Sequence, residues 1–295
     1  MSMQLSGWSG AQMRHGVTAG TSYSVYASKS DEARATVVLI HGVGMNRSVW
    51  APQIAPLTAA NYEVVVYDML GHGESALPPA EPTLGDYAAQ LDGLFDDLRI
   101  GRAHVVGHSM GALVALEFAL TRAPRTLSVA ALNAVYDRTP AQREAVMSRA
   151  GTLGEAPLDT GVDATLERWF GDPVPAHLTR AAQAVRHLLL SVNPVGYART
   201  YRLFACSDDV HVGRLTNLAM PALFLTGACD PNSSPEMSRK MAAAAPFGRA
   251  DVIANARHMM TVSDPEQTNE RLLAFLAAAA EPGAANPPNV GERDA

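Results

Sequence analysis

Short apolar runs alternate along most of this chain with longer segments whose apolar positions recur at helical spacing. The runs at 35–40, 63–67, 103–106, 127–132, 222–227 and 249–254 are dominated by Val, Ile, Leu and Ala. Such runs predict strands covered on both faces. Weaker alternation around His15-Gly16-Val17 and Tyr23-Ser24-Val25-Tyr26 predicts two antiparallel strands at a sheet edge. Residues 83–98 give the clearest helix. Leu84, Tyr87, Ala88, Leu91, Leu94, Phe95 and Leu98 fall on one stripe, with Asp86, Asp92 and Asp97 off it. Further helices are expected from a Ser48 cap through Leu57, over 110–120, over 235–244 and over 265–279. Strands that alternate with helices in this way predict an α/β fold, a mostly parallel central sheet with helices on both faces.

The rhythm breaks between Tyr136 and Val212. No strand is expected there, and helices at 140–150, 164–170, 177–192 and 194–204 follow one another. The expected organisation is an α/β core over 1–135 and 213–282, interrupted by a helical cap insertion over 136–212. The segment 283–295 is rich in Pro, Gly, Asn and charge and is expected to be a disordered tail. No internal repeat is evident.

Composition narrows the function. With 295 residues, 47% hydrophobic and 18% charged, the chain has ample material for a packed core. A formal net charge of −6 does not suggest a nucleic-acid partner. Two cysteines, Cys206 and Cys229, give neither a disulfide framework nor metal-ligand spacing. The first residues lack the apolar core of a secretory signal, and no run is long enough to span a bilayer. The expectation is a cytoplasmic protein without a membrane partner; the sequence does not set an oligomeric state.

Candidate chemistry centres on Gly107-His108-Ser109-Met110-Gly111. This Gly-x-Ser-x-Gly lies between a predicted buried strand and a predicted helix, so the chain must turn sharply at the serine. A serine held there projects its oxygen outward as a nucleophile, and its expected partners follow in the order acid, then histidine. Asp230 lies just past the run ending at Gly227, and His258 just past the run ending at Ala254. Both belong to the same carboxyl edge of the sheet as the serine, where sites of open α/β sheets gather. Asp137 is the rival acid; Asn133, at the actual end of its strand, cannot carry the charge. An oxyanion needs backbone donors. The amide of Met110 is one candidate, and that of Val43, in the loop His41-Gly42-Val43-Gly44, is the other. His41 and His108 are expected to pack behind the site. The chemistry requires no metal and no organic cofactor.

Four landmarks together resemble the α/β-hydrolase superfamily from about residue 12 to residue 280: His41-Gly42-Val43-Gly44, Asp68-Met69-Leu70-Gly71-His72-Gly73-Glu74-Ser75, the Ser109 turn, and the paired Asp230 and His258 loops. The resemblance implies the α/β-hydrolase fold. Serine at position 109 separates the chain from haloalkane dehalogenases and epoxide hydrolases, which use aspartate there. The loop after Gly42 lacks the Gly-Pro-Gly-Ala-like sequence of many meta-cleavage carbon–carbon hydrolases. With Asn193-Pro194-Val195-Gly196-Tyr197-Ala198 in the insertion, the chain is similar to 3-oxoadipate enol-lactonases and neighbouring catabolic hydrolases.

That resemblance implies a serine hydrolase of a small ester, lactone or amide that carries a carboxylate. Carbon–carbon cleavage or peracid formation on the same residues is the alternative, and a non-catalytic ligand-binding protein of the same fold is the alternative of another class. A carboxylate substrate asks for a cation, and the insertion is dense in arginine. Arg138, Arg143 and Arg168 are the first candidates, with Trp169 and Tyr197 as candidate pocket walls. Each also has a plain reading, as a solvated face charge or as core of the insertion.

Overall fold

The computed structural model describes residues 13–30, 33–151, 153 and 161–280. The expected disordered tail, 283–295, lies outside the described residues. In chain order the elements are β1 (Met13–Thr18), β2 (Thr21–Tyr26), β3 (Thr36–Ile40), α1 (Ala51–Ala59), β4 (Glu63–Tyr67), α2 (Leu84–Leu98), β5 (Ala103–His108), α3 (Met110–Thr121) and β6 (Thr126–Leu132). Then follow α4 (Pro140–Gly151), α5 (Val162–Phe170), α6 (Thr179–Leu190) and α7 (Pro194–Ala205). The described residues end with β7 (Ala222–Gly227), α8 (Pro235–Ala244), β8 (Gly248–Ile253), α9 (Met260–Ser263) and α10 (Pro265–Ala279).

Among the described residues eight strands form one sheet in the order β1-β2-β4-β3-β5-β6-β7-β8. The β1–β2 and β2–β4 pairs are antiparallel, and every other pair is parallel. The weak alternation near the start of the chain thus forms the expected edge hairpin. Alternate residues of the central strands feed two cores. Val38, Ile40, Val65, Tyr67 and Val105 pack with α2, α3 and α8, while Val37, Leu39, Val64, Val66 and Val106 pack with α1 and α10. Burial on both faces is why these strands read as continuous apolar runs rather than alternating ones.

Local chemistry sets the helix ends. Thr83 and Asp86 form a reciprocal capping box at the start of α2. The Ser48 cap is corrected: Asn46 accepts from the Ser48 amide and opens a 3₁₀ turn over Arg47–Trp50, and α1 begins only at Ala51. An Asn carbonyl at this position satisfies the first free amide as well as a serine hydroxyl would. The segment expected as a helix over 177–192 is a 3₁₀ turn, Ala176–Leu178, followed by the shorter α6.

The helices α4–α7 lie between β6 and β7, and among the described residues no strand falls between those two. At α7 they touch the loop after β4 and α2 directly. Asn193 caps α7 through the amides of Val195 and Gly196, and Pro194 sits in its first turn. A Cβ on Gly196 would lie 2.1 Å from the Gly71 carbonyl oxygen, so the helix start and the loop after β4 touch backbone to backbone. Tyr87 and Thr200 hydroxyls hydrogen-bond at 2.7 Å alongside. No helix of the described residues is long and apolar enough to cross a membrane.

Candidate active site

The turn after β5 is built as its sequence requires. Ser109 adopts φ 55° and ψ −118°, a left-handed conformation that costs a non-glycine residue ~1–3 kcal/mol. Its amide is held by the Leu132 carbonyl at 2.8 Å. A Cβ on Gly107 would lie 2.0 Å from the Gly111 oxygen, and one on Gly111 would lie 2.3 Å from the Ile40 oxygen. Both glycines are therefore demanded by the crossing of β3, β5 and the start of α3.

Three parallel strands bring Ser109, Asp230 and His258 together. His258 Nε2 accepts from the Ser109 hydroxyl at 3.1 Å, and His258 Nδ1–H donates to Asp230 Oδ2 at 2.8 Å. All three are buried. Burial alone would raise the Asp230 carboxyl. The charge and hydrogen bond of His258, the Asn232 amide at 2.8 Å and the Asn133 side chain at 2.7 Å outweigh it and hold the group below the usual carboxylate range. Asp137, the rival acid, is exposed and pairs with Lys240 at 3.3 Å, far from this line of hydrogen bonds.

The supporting residues are specific. His108 Nε2–H donates to the His258 carbonyl at 2.8 Å, so it anchors the histidine loop from beneath. Asn133, at the end of β6, has φ 51°, donates to the same Asp230 oxygen that His258 uses, and leaves its own Oδ1 buried without a partner. A strained backbone and an unpaired buried oxygen together mark a residue kept for what it holds. Val43, in the loop after β3, lines the same cavity as Ser109, and Met110 follows Ser109 at the start of α3. Among the described residues no acceptor engages either N–H.

A cavity of about 820 Å³ opens over Ser109 and His258, between the sheet edge and α4, α5 and α7. Trp169, Tyr197, Tyr201 and Phe204 line it. The Trp169 ring lies 5.4 Å from the His258 ring. The arginines divide sharply. Arg143 is corrected: it does not line the cavity, and its half-exposed side chain pairs with Asp208 and Asp209 from the outer side of α4. Arg138 lines the cavity, but it is buried against Asp208 at 3.3 Å and stacked 4.7 Å over Phe204, so its charge is already matched. Among the described residues, Arg168 lines the cavity with its Nε enclosed and without a hydrogen-bond partner, and its one side-chain bond is to Thr165, 3.2 Å away on its own helix. Burial and the like charge of Arg149 both lower its proton affinity.

Arg149 was not singled out in the sequence, and Asn133 was read there only as a strand end that cannot carry the charge of the acid. Arg149 lines the cavity and donates to the Tyr201 hydroxyl at 3.2 Å. The sequence placed Asn133 at a strand end but gave no sign of its hydrogen bond to Asp230, and nothing in its spacing distinguishes Arg149 from the other insertion arginines. Among the described residues no group of three or more His, Cys, Asp or Glu side chains is arranged to hold a metal ion.

A serine on a strand–turn–helix elbow, facing a histidine and an acid from later strands, defines the α/β-hydrolase class. Comparison agrees: residues 37–271 match the alpha/beta hydrolase family, and the chain belongs to that family. It is 40% identical over 240 residues to the (E)-2-((N-methylformamido)methylene)succinate hydrolase of Acinetobacter baylyi, covering 81% of this chain and 89% of the relative. It is 30% identical over 253 residues to 3-oxoadipate enol-lactonase 1 of the same organism, covering 84% and 90%. Among solved structures, the enol-lactonase from Burkholderia xenovorans LB400 superposes with a TM-score of 0.80 at 26% identity, over 90% of this chain and 100% of the other. The protein is a serine hydrolase.

Proposed function

We propose that this hydrolase opens a small carboxylate-bearing amide, ester or lactone through an acyl-enzyme on Ser109. The observation that carries the reading is one cavity with two ends. At the floor is the hydrogen-bonded line Ser109–His258–Asp230, and at the wall is Arg168, half-buried with its Nε enclosed and without a carboxylate of its own among the described residues. In this reading His258 takes the Ser109 proton as the oxygen attacks the substrate carbonyl. The amides of Val43 and Met110 receive the developing oxyanion. The proton passes from His258 to the leaving nitrogen or oxygen, and the acyl group stays on Ser109. Water, deprotonated by His258, then releases the acid and restores the serine. Asp230 keeps Nδ1 protonated and steadies the imidazolium in both halves.

An arginine in a low-dielectric cavity is electrostatically costly until an anion meets it, and its planar fork suits a carboxylate. The A. baylyi relative is named for a succinate bearing an N-methylformamido group, a carboxylate and an amide in one small molecule. At 40% identity that supports the amide end of the range. The helices over 136–212 act as the cap and 1–135 with 213–282 as the core, in keeping with the close approach of Gly196 to Gly71. Two free, exposed cysteines suit the cytoplasm as working compartment.

Two measurements test the reading. A fluorophosphonate probe followed by peptide mass spectrometry should place a single adduct on Ser109, and none on Ser109→Ala. A panel of small amides, esters and lactones, each with and without a carboxylate, should show turnover favouring the anionic members. Turnover that persists without Ser109, or no labelling of the wild type, would end the proposal.

A further inference from the structure

The loop that offers the Val43 amide is short, carries glycine on either side of Val43 and is not part of the sheet, yet its donor must point at a fixed spot above Ser109. Two buried histidines flank it. His41 Nδ1–H donates to the Gly42 carbonyl at 2.8 Å, and His41 Nε2 accepts from the Met69 amide at 3.0 Å. His72 Nδ1 faces the Leu70 carbonyl at 3.1 Å, and His72 Nε2 accepts from the Gly44 amide at 3.1 Å. Each ring thus donates within its own loop and accepts from the other, and the rings meet edge to face at 5.2 Å.

The consequence follows from peptide planarity. The Gly42 carbonyl and the Val43 N–H belong to one rigid trans unit and point in opposite directions. Fixing the Gly42 oxygen with His41 therefore aims the Val43 N–H the other way. The next unit joins the Val43 carbonyl to the Gly44 N–H; fixing the latter on His72 turns the Val43 oxygen away from it. The two planes on either side of the Val43 Cα are each pinned at one end by an imidazole. Gly44, at φ +78°, makes the turn that this arrangement needs.

We propose that His41 and His72 form a reciprocal clasp that aims the Val43 amide, and are positioning residues for the oxyanion hole. The clasp requires both rings neutral, because each Nε2 must keep a lone pair. Burial supplies this, lowering His41 to about 4 and, with the repulsion a proton on both rings would bring, His72 to about 3. The loop after β4 thereby becomes part of the catalytic apparatus without touching substrate.

The proposal rests on Ser109 acting as nucleophile, and the test separates the two. An amide side chain can replace one ring nitrogen at a time: Asn reaches the Nδ1 position, Gln the Nε2 position. For His41 the bond that aims Val43 is made by Nδ1, and for His72 by Nε2. His41→Asn and His72→Gln should therefore keep kcat for p-nitrophenyl acetate within about fivefold of wild type, whereas His41→Gln and His72→Asn should lose ~10-fold to ~100-fold, the range expected for a misplaced oxyanion donor. KM should stay within about threefold throughout, because a ground-state ester makes little use of the donor. The rate of fluorophosphonate labelling at Ser109 should follow the same crossed pattern. Equal behaviour of Asn and Gln at each position, or losses carried by KM, would overturn the clasp while leaving Ser109 as nucleophile. Turnover independent of Ser109 would overturn both.

Discussion

The carboxyl edge of the sheet and the helical insertion above it solve opposite problems. At the edge, polar groups close on one another: Asp230 takes hydrogen bonds from His258, Asn133 and the Asn232 amide, and His108 holds the His258 carbonyl. In the insertion, two of the three first-choice arginines are matched by acids, and Arg168 faces the cavity without one among the described residues. Catalytic groups that are hydrogen-bonded to one another in this way are preorganised for chemistry and indifferent to which small acyl group arrives. A charge kept in a cavity is an invitation to one kind of ligand. In the proposed reading the edge supplies the reaction and the insertion supplies the choice of substrate.

The largest effect that would break this division lies at the edge. Ser109→Ala should lower kcat by ~10⁴-fold or more for every substrate alike, measured on purified enzyme with a retained circular dichroism spectrum. Asp230→Asn should cost ~10³-fold to ~10⁴-fold, since His258 loses its orienting charge and tautomer. Asp137→Asn, at the surface with Lys240, should change kcat by less than about twofold. The reverse ranking would move the acid.

Smaller effects sharpen the comparison. Asn133→Ala removes one donor to Asp230 and relieves an unpaired oxygen, so kcat should fall by about tenfold, the scale of one hydrogen bond to a charged group, with KM unchanged. Stability should respond to acid through the buried rings. His41 and His104 are lowered to about 4, and His72 and His108 to about 3, all mainly by burial. In the unfolded chain these imidazoles take up protons below about 6.5, while the folded ones stay neutral, so the unfolded state binds more protons and stability falls as pH falls from there toward 4. Each ring contributes up to ~1.4 kcal/mol per pH unit. Thermal unfolding at pH 7, 6, 5 and 4.5 should show Tm dropping steeply below 6.5. A flat profile would mean that these rings are protonated or solvated in the fold.

The two regions also differed in how far the sequence could be read. The strands of the core, the Ser109 turn and the loops of Asp230 and His258 were legible because each follows from local chemistry: apolar runs, obligatory glycines and placement after a strand. The register of β5 against β6 then brings His108 opposite Leu132, with Ser109 and Asn133 next along each chain, an adjacency that only the paired sheet reveals. The role of Asn133 stayed hidden for that reason. In the insertion the helices were legible but their faces were not. Arg138, Arg143 and Arg168 have the same chemistry on paper, and what separates them is whether Asp208 lies within reach. Partnership across loops has no local signature, so the arginine that faces the cavity could be recognised only once the chain was folded.

The most direct test of the division is a ratio of ratios. kcat/KM is measured for a small carboxylate-bearing amide and its methyl ester, on the wild type, on Arg168→Ala, and on Arg143→Ala as a control. The account predicts that the wild type and Arg143→Ala prefer the carboxylate by more than about tenfold, or about 1.4 kcal/mol, and that Arg168→Ala brings the ratio close to one. A preference that survives in Arg168→Ala, or a wild type that does not distinguish the pair, would contradict it.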